Sequence, residues 1–227
     1  MYKFRKNLRK VATIAACLVV TTMFATCDKK NGDDDDDNGG GNGGSTTSDA
    51  GVVINGVKWA TRNVDKPGTF TAKPEDVGMF YQWNSKIGWS ATDPMKNSNG
   101  GTTWNRLTED ISISSWQTSN NPCPKGWRLP TREELLKLED AGVWTTQNGV
   151  VGCRFGSGSN TIFLPAAGER YFNDGDLHDE GSYGNYWANA RVQGYYDAYY
   201  FYFNSLNTGS NSYGNTTYGY SCRCVAE

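Results

Sequence analysis

Catalysis needs side chains that exchange protons, attack carbonyls or hold metals, and this sequence offers few of them in working combinations. Its single histidine, His178, lies in the Gly/Asp-rich stretch DGDLHDEG. It has no second histidine to share a metal and no nucleophile at a recognisable spacing. It therefore reads as a solvated loop residue, which argues against a histidine-based triad or base. The same stretch holds Asp174, Asp176, Asp179 and Glu180. Oxygen ligands at that density suit calcium, but the spacing is not that of an EF-hand loop, and a solvated acidic loop is the preferred reading. No metal or other cofactor is expected.

Cys123, Cys153, Cys222 and Cys224 are an even set, which in an exported chain points to two disulfides. Cys222 and Cys224, two apart on a strand, face the same side and do not readily bridge each other. Each then pairs with one of the earlier two. Cys123–Cys224 with Cys153–Cys222 is favoured, and spacing leaves the crossed pairing open. A zinc site fits poorly, because the spacings are wrong and His178 is the only imidazole.

The stretch GYYDAYYFYFNSLNTGSNSYGNTTYGYSCRC, from Gly194 to Cys224, carries a different chemistry. Ten of the thirteen tyrosines lie between Gly181 and Glu227, among asparagine, serine and glycine. Tyrosine offers a large contact area at small entropic cost, and the small polar residues add adaptable hydrogen bonds. Alternation along the strand-like AYYFYF puts Tyr199, Phe201 and Phe203 on one face and Tyr200 and Tyr202 on the other.

The elements that must hold these residues begin after a leader and a spacer. Lys3, Arg5, Lys6, Arg9 and Lys10 precede an apolar run from Val11 to Ala25, the plan of a secretory signal over 1–26. The residues MFATC resemble a bacterial lipobox, which makes Cys27 the lipidation site; an ordinary signal peptide is the other reading. Residues 27–50 are an acidic, Gly/Ser-rich tether without the apolar side chains needed for collapse. An acidic run just after a lipidated cysteine resembles the surface-export signal of Bacteroides-type lipoproteins. That resemblance implies a lipid-anchored outer-membrane protein exposed on the cell surface.

Residues 51–227 have the length of one domain. They carry 15 Lys+Arg against 17 Asp+Glu, and with no basic stripe nucleic acid is excluded as a partner. GVVINGVKWATRNV alternates around Asn55-Gly56, a hairpin signal. DVGMFYQW, VVGCRF, TIFLPAA, YYFYFNS and YSCRCVA read as strands. Thr131 with Glu134 three residues on is a capping box. Leu135, Leu136 and Leu138 follow as an apolar stripe, and Gly142 marks the expected helix end. One or two helices among many short, mostly antiparallel strands predicts an α+β fold.

The ordered set VKWATRNV, GMFYQW, NPCPKGWRLPTREEL, FLPAAGER, GSYGNYWAN, AYYFYFN and GYSCRCV resembles the Fibrobacter succinogenes major paralogous domain family, over Val53 to Val225. The resemblance implies a C-type lectin-like fold, related to that of formylglycine-generating enzymes, in secreted or lipidated Bacteroidetes proteins. It places Cys123 and Cys224 on the family's usual cysteine positions and leaves Cys153 and Cys222 as a private second pair. It also places Trp127, Leu129, Leu164, Trp187, Phe201 and Phe203 in the core, and makes Arg128 and Arg223 part-buried structural arginines.

With Phe201 and Phe203 inward, Tyr200 and Tyr202 point outward. The candidate ligand-binding set is then Tyr195, Tyr196, Asp197, Tyr200, Tyr202, Asn204, Asn207, Asn211, Tyr213, Asn215 and Tyr218. The expected function is non-enzymatic capture of an external protein or carbohydrate ligand, as in adhesion. The residue menu also resembles the randomised stretch in variable proteins of diversity-generating retroelements. Two alternatives are a structural cell-envelope or appendage-tip component, and a divergent enzyme of the formylglycine-generating fold. The latter predicts free thiols at Cys222 and Cys224.

Overall fold

A computed structural model describes residues 46–107, 111–139 and 142–227, with Ser210 and Asn211 described in backbone only. The leader 1–26, the tether to residue 45 and the lipidation site Cys27 lie outside the described residues. The last tether residues belong to the fold instead. Thr46 pairs with Phe70 through two backbone hydrogen bonds. The Asp49 carboxylate, its side chain fully buried, accepts from Gly51 N, Thr61 N, the Thr61 hydroxyl and Arg62 Nε. Composition cannot reveal this, because a lone aspartate at the end of an acidic spacer looks solvated.

The described residues are mostly β with one short α-helix. β1 (Val52–Ile54) and β2 (Val57–Trp59) form the expected hairpin, with Asn55 and Gly56 both at positive φ as a type I′ turn requires. They continue through β15 (Val225–Ala226) to β5 (Trp127–Arg128) in a four-stranded sheet, so the last strand lies beside the first hairpin. A six-stranded sheet carries β13 (Thr208–Asn215), β12 (Asp197–Phe203), β11 (Gly184–Arg191), β14 (Tyr220–Ser221), β3 (Met79–Tyr81) and β4 (Gly88–Ser90), in that order. β6 (Val143–Gln147), β7 (Val150–Ser157) and β8 (Asn160–Pro165) form a three-stranded meander. β9 (Glu169–Arg170) pairs with β10 (Leu177–His178).

Period-two alternation gives the large sheet two buried faces. Tyr186, Ala188, Phe201 and Phe203 point into one core with Ile54, Trp59, Leu135, Leu138, Phe155 and Leu164. Trp187, Ala198 and Tyr220 point into the other, with Val64, Phe70, Trp83, Trp127 and Leu129. The six expected core positions are all buried. Burying each phenylalanine contributes roughly 2–3 kcal/mol, so the Phe201/Phe203 pair fixes the register of β12.

The helix α1 (Arg132–Leu136) starts as expected: the Thr131 side chain accepts from Glu134 N, and the Glu134 carboxylate accepts from Thr131 N. It is much shorter than the stripe implies and ends before Gly142. That glycine serves packing instead: a Cβ there would lie 2.8 Å from the Phe155 ring and 3.0 Å from Cys153 Sγ. Leu136 is correspondingly exposed while Leu135 and Leu138 are buried.

Cys123 and Cys224 are bridged, 101 residues apart in sequence. The second bridge does not form. Cys153 and Cys222 are buried free thiols, and they belong to the two different cores, Cys153 with Phe155 and Leu164, Cys222 with Trp83 and Trp187. The large sheet separates those cores, which spacing along the chain does not show. Both arginines are paired, Arg128 part-buried as expected and Arg223 more deeply buried than expected. Arg128 makes a bidentate contact to Glu134 at 2.7 Å. Arg223, almost fully buried, donates to Asn63 Oδ1, Ala60 O and Phe163 O.

Candidate tyrosine–carboxylate site

The register of β11, β12 and β13 sets side chains in rows across the sheet face that bears Trp187. Tyr202 stands between Gly209 and Asn185, and Tyr200 between Ser212 and Trp187. Small residues on the edge strand leave room for the rings. An added Cβ on Gly209 would lie 2.5 Å from Tyr202 Cε1 and 3.2 Å from its hydroxyl. The Cε1–hydroxyl edge of the Tyr202 ring therefore packs against the glycine. Tyr200 and Tyr202 are both half-buried, their centroids 6.4 Å apart. Tyr200 also packs on the second core, 4.8 Å from buried Tyr220, which stacks 5.3 Å from half-buried Tyr218.

A carboxyl completes the face. Gly168 bridges Gly184, and Arg170 exchanges two backbone hydrogen bonds with Gly219, so β9 is held between the start of β11 and the residue before β14. Arg170 turns to the other side, where its fully buried guanidinium reaches Ser90 O, Thr92 O, Asp93 Oδ1 and Gly175 O. Glu169, alternating with it, accepts a hydrogen bond from buried Asn185 Nδ2 at 3.0 Å. Burial, with the Asp179 carboxylate nearby, pushes the Glu169 carboxyl up to about 7. The tyrosines respond in turn: burial first, and then the Glu169 charge, raise Tyr200 and Tyr220 and push Tyr218 up to about 12. The phenols stay neutral donors, and Glu169 changes charge near neutral pH.

Of the expected ligand set, the structure brings together Tyr200, Tyr202 and Tyr218. The rest disperse. Tyr195 and Tyr196 are exposed in the β11–β12 turn. Tyr196 and Asn215 line a separate cavity of about 250 Å³ with Arg106, Leu107 and Thr217. Asp197 opens β12 opposite Asn215. Tyr213 lies on the opposite face beside Tyr199, their rings 6.5 Å apart. Asn204 shapes the β12–β13 turn, its Oδ1 accepting from Leu206 N and Asn207 N, and exposed Asn207 returns a carbonyl to Asn204 N. Asn215 Oδ1 accepts from Thr217 N and Oγ1. Asn204 and Asn215 thus hold the chain's own turns. The side chain of Asn211 lies outside the described residues.

Glu169 and Asn185 were not among the expected residues. The available signal was a carboxylate at the close of the apolar run TIFLPAAGER, where an ionised group meets buried strand. His178 is not a loop residue: it lies on β10 directly across from Glu169 and stacks on Tyr171 at 5.0 Å. Asp174, Asp176, Asp179 and Glu180 are exposed, and among the described residues no three His, Cys, Asp or Glu side chains gather as a metal site. Comparison with protein-family models, with curated proteins and with solved structures finds no match to this chain.

Proposed function

We propose that this chain is a surface lipoprotein, anchored through Cys27, whose C-type lectin-like domain captures an external protein or glycan ligand on the tyrosine–carboxylate face. The convergence of Tyr200, Tyr202 and Tyr218 with Asn185 and Glu169 on one half-exposed sheet face carries this reading. Aromatic faces stack on sugar rings or apolar side chains, and the carboxyl, amide and phenols orient a ligand by hydrogen bonds. Tyr200, Tyr202 and Asn185 stand on strands of the large sheet between two packed cores, so that part of the set is held in place before a ligand arrives.

The enzyme alternative requires free thiols at both Cys222 and Cys224. Cys224 is bridged to Cys123, and burial pushes the Cys222 thiol well above its ordinary value, which argues against that reading. A fixed structural role predicts a subunit that co-purifies in mild detergent.

Glycan and extracellular-protein arrays probed with the full chain test the proposal. Tyr202→Ala should weaken the best signal at least about tenfold, as for an aromatic anchor at an interface centre, and EDTA should leave it unchanged. A signal indifferent to Tyr202→Ala would overturn the assignment of this face. Loss in EDTA would move attention to the acidic loop.

A further inference from the structure

We infer that the tyrosine–carboxylate face is a receptor for an alkylammonium group, held between the accessible parts of Tyr200 and Tyr202 and the Glu169 carboxylate. This rests on the reading of that face as the ligand site and specifies its chemistry. Three observations converge on a cation rather than a neutral or anionic group.

First, the Glu169 carboxylate is half-buried, and the hydrogen bond it accepts comes from the neutral amide of Asn185. An ionised carboxylate in such surroundings is costly, and a cation arriving beside it offsets that cost. Second, ring faces attract cations through the quadrupole of the π system, more strongly when water is displaced. Tyr202 packs an edge on Gly209 and Tyr200 an edge near Gly214, and both rings are only half-buried, which leaves part of each accessible to a ligand. Third, the titratable groups around Glu169 in the surrounding elements are an acid, an imidazole and phenols. They are Asp179 just beyond β10, His178 on β10, Tyr171 after β9, Tyr200 and Tyr202 on β12, and Tyr218 and Tyr220 around β14. The neighbouring cation, Arg170, is turned away onto Ser90, Thr92, Asp93 and Gly175.

Because the cation favours ionised Glu169, binding releases a proton wherever the free carboxyl is protonated. Affinity is therefore full above about pH 7 and declines below it.

The test is isothermal titration and amide chemical-shift mapping on the full chain with choline, with N-acetyl-lysine methylamide and with 3,3-dimethylbutan-1-ol. The last is the uncharged isostere of choline. Choline preferred over the lysine probe identifies a quaternary headgroup, and the reverse identifies a primary amine. Choline or the lysine probe should bind at least about tenfold more tightly than the alcohol, shift amides around Tyr202 and Asn185, and weaken by about tenfold or more from pH 7.5 to 5.5. Glu169→Gln should remove the preference for charge. Asp179→Asn should move the midpoint of the pH dependence to lower pH; asparagine tolerates the positive φ of 62° at that position, so folding is preserved. His178→Gln should retain the pH dependence, because the proton concerned is on Glu169.

Equal binding of the alcohol, no binding of either cation, or affinity unchanged across that pH range would overturn the inference. The broader reading fails separately. An array ligand that depends on Tyr202 but not on Glu169 sinks the ammonium receptor and keeps the ligand face, whereas one that depends on neither sinks both.

Discussion

Glu169 opposes the stability of the fold it sits in. A carboxyl whose pKa is raised by folding holds its proton more tightly in the native state. Its contribution to stability is complete below the ordinary value of 4.5 and is lost as pH rises through about 7. Glu169→Gln cannot ionise and still offers Asn185 an acceptor. It should raise unfolding free energy at pH 8 by about 1 kcal/mol, reduced from the full linkage value because the group is partly exposed. At pH 4 it should change little. Urea denaturation at both pH values measures this, and equal effects at the two would show that the charge is not responsible. Arg223 is the opposite case, a charge the structure satisfies with three acceptors from segments far apart in sequence. Arg223→Met leaves two carbonyls and an amide oxygen without that donor and should cost about 3 kcal/mol or more in the same assay. Sequence reading identifies Arg223 as structural and places Tyr200 and Tyr202 together on the face opposite Phe201 and Phe203, because strand alternation and a motif suffice for that. Glu169 escapes it because its neighbours, Asn185, Tyr200 and Tyr218, come from three later parts of the chain.

At the scale of elements, local chemistry is legible and tertiary pairing is not. The Asn55-Gly56 hairpin and the Thr131 capping box are written in adjacent residues. The end of α1 is not, because Gly142 is selected by Phe155 and Cys153 across the core. Asn148-Gly149 joins β6 to β7 with the same turn chemistry as Asn55-Gly56, yet the polar TTQ before it hides the strand. β13, rich in glycine and serine, is a strand only because β12 pairs with it. The capping box makes its own prediction. Hydrogen bonds from Arg128, then from Thr131 N, hold the Glu134 carboxyl below its ordinary value against the opposing effect of burial. That stabilisation is present above about pH 4.5 and lost as pH falls through the lower folded value. Glu134→Gln should therefore lower unfolding free energy by about 1 kcal/mol at pH 7, typical of a cap with a partly exposed ion pair. At pH 2.5 it should have almost no effect. Thermal unfolding at the two pH values separates the charge from the cap.

Across the described fold, four cysteines and two cores leave one bridge. Alkylation of the unfolded, unreduced chain should label Cys153 and Cys222 and spare Cys123 and Cys224. In the native protein neither thiol should react, since burial pushes Cys153 up to about 12 and Cys222 well above its ordinary value. Mass spectrometry of tryptic peptides reads both outcomes; labelling of Cys224 would revive the thiol chemistry argued against above. Because the bridge closes a loop of 101 residues, its reduction should lower unfolding free energy by at most about 5 kcal/mol on the chain-entropy account.

That bridge also decides how the molecule answers a mechanical load. It turns 123–224 into a closed ring that contains every strand of the tyrosine face. Tension applied between Thr46 and Glu227 runs along 46–123, crosses the sulfur bridge and leaves by 224–227, so the ring is not stretched. A pull applied at Tyr202 divides between the two arms of the ring before it reaches the N-terminal side. Drawn out in optical tweezers, the oxidised chain should stop short. Adding reductant should release a further ~35 nm, the extended length of the ring at roughly 3.5 Å per residue. On the proposed reading as an anchored capture protein, the ligand face would stay closed under load while the periphery gives way.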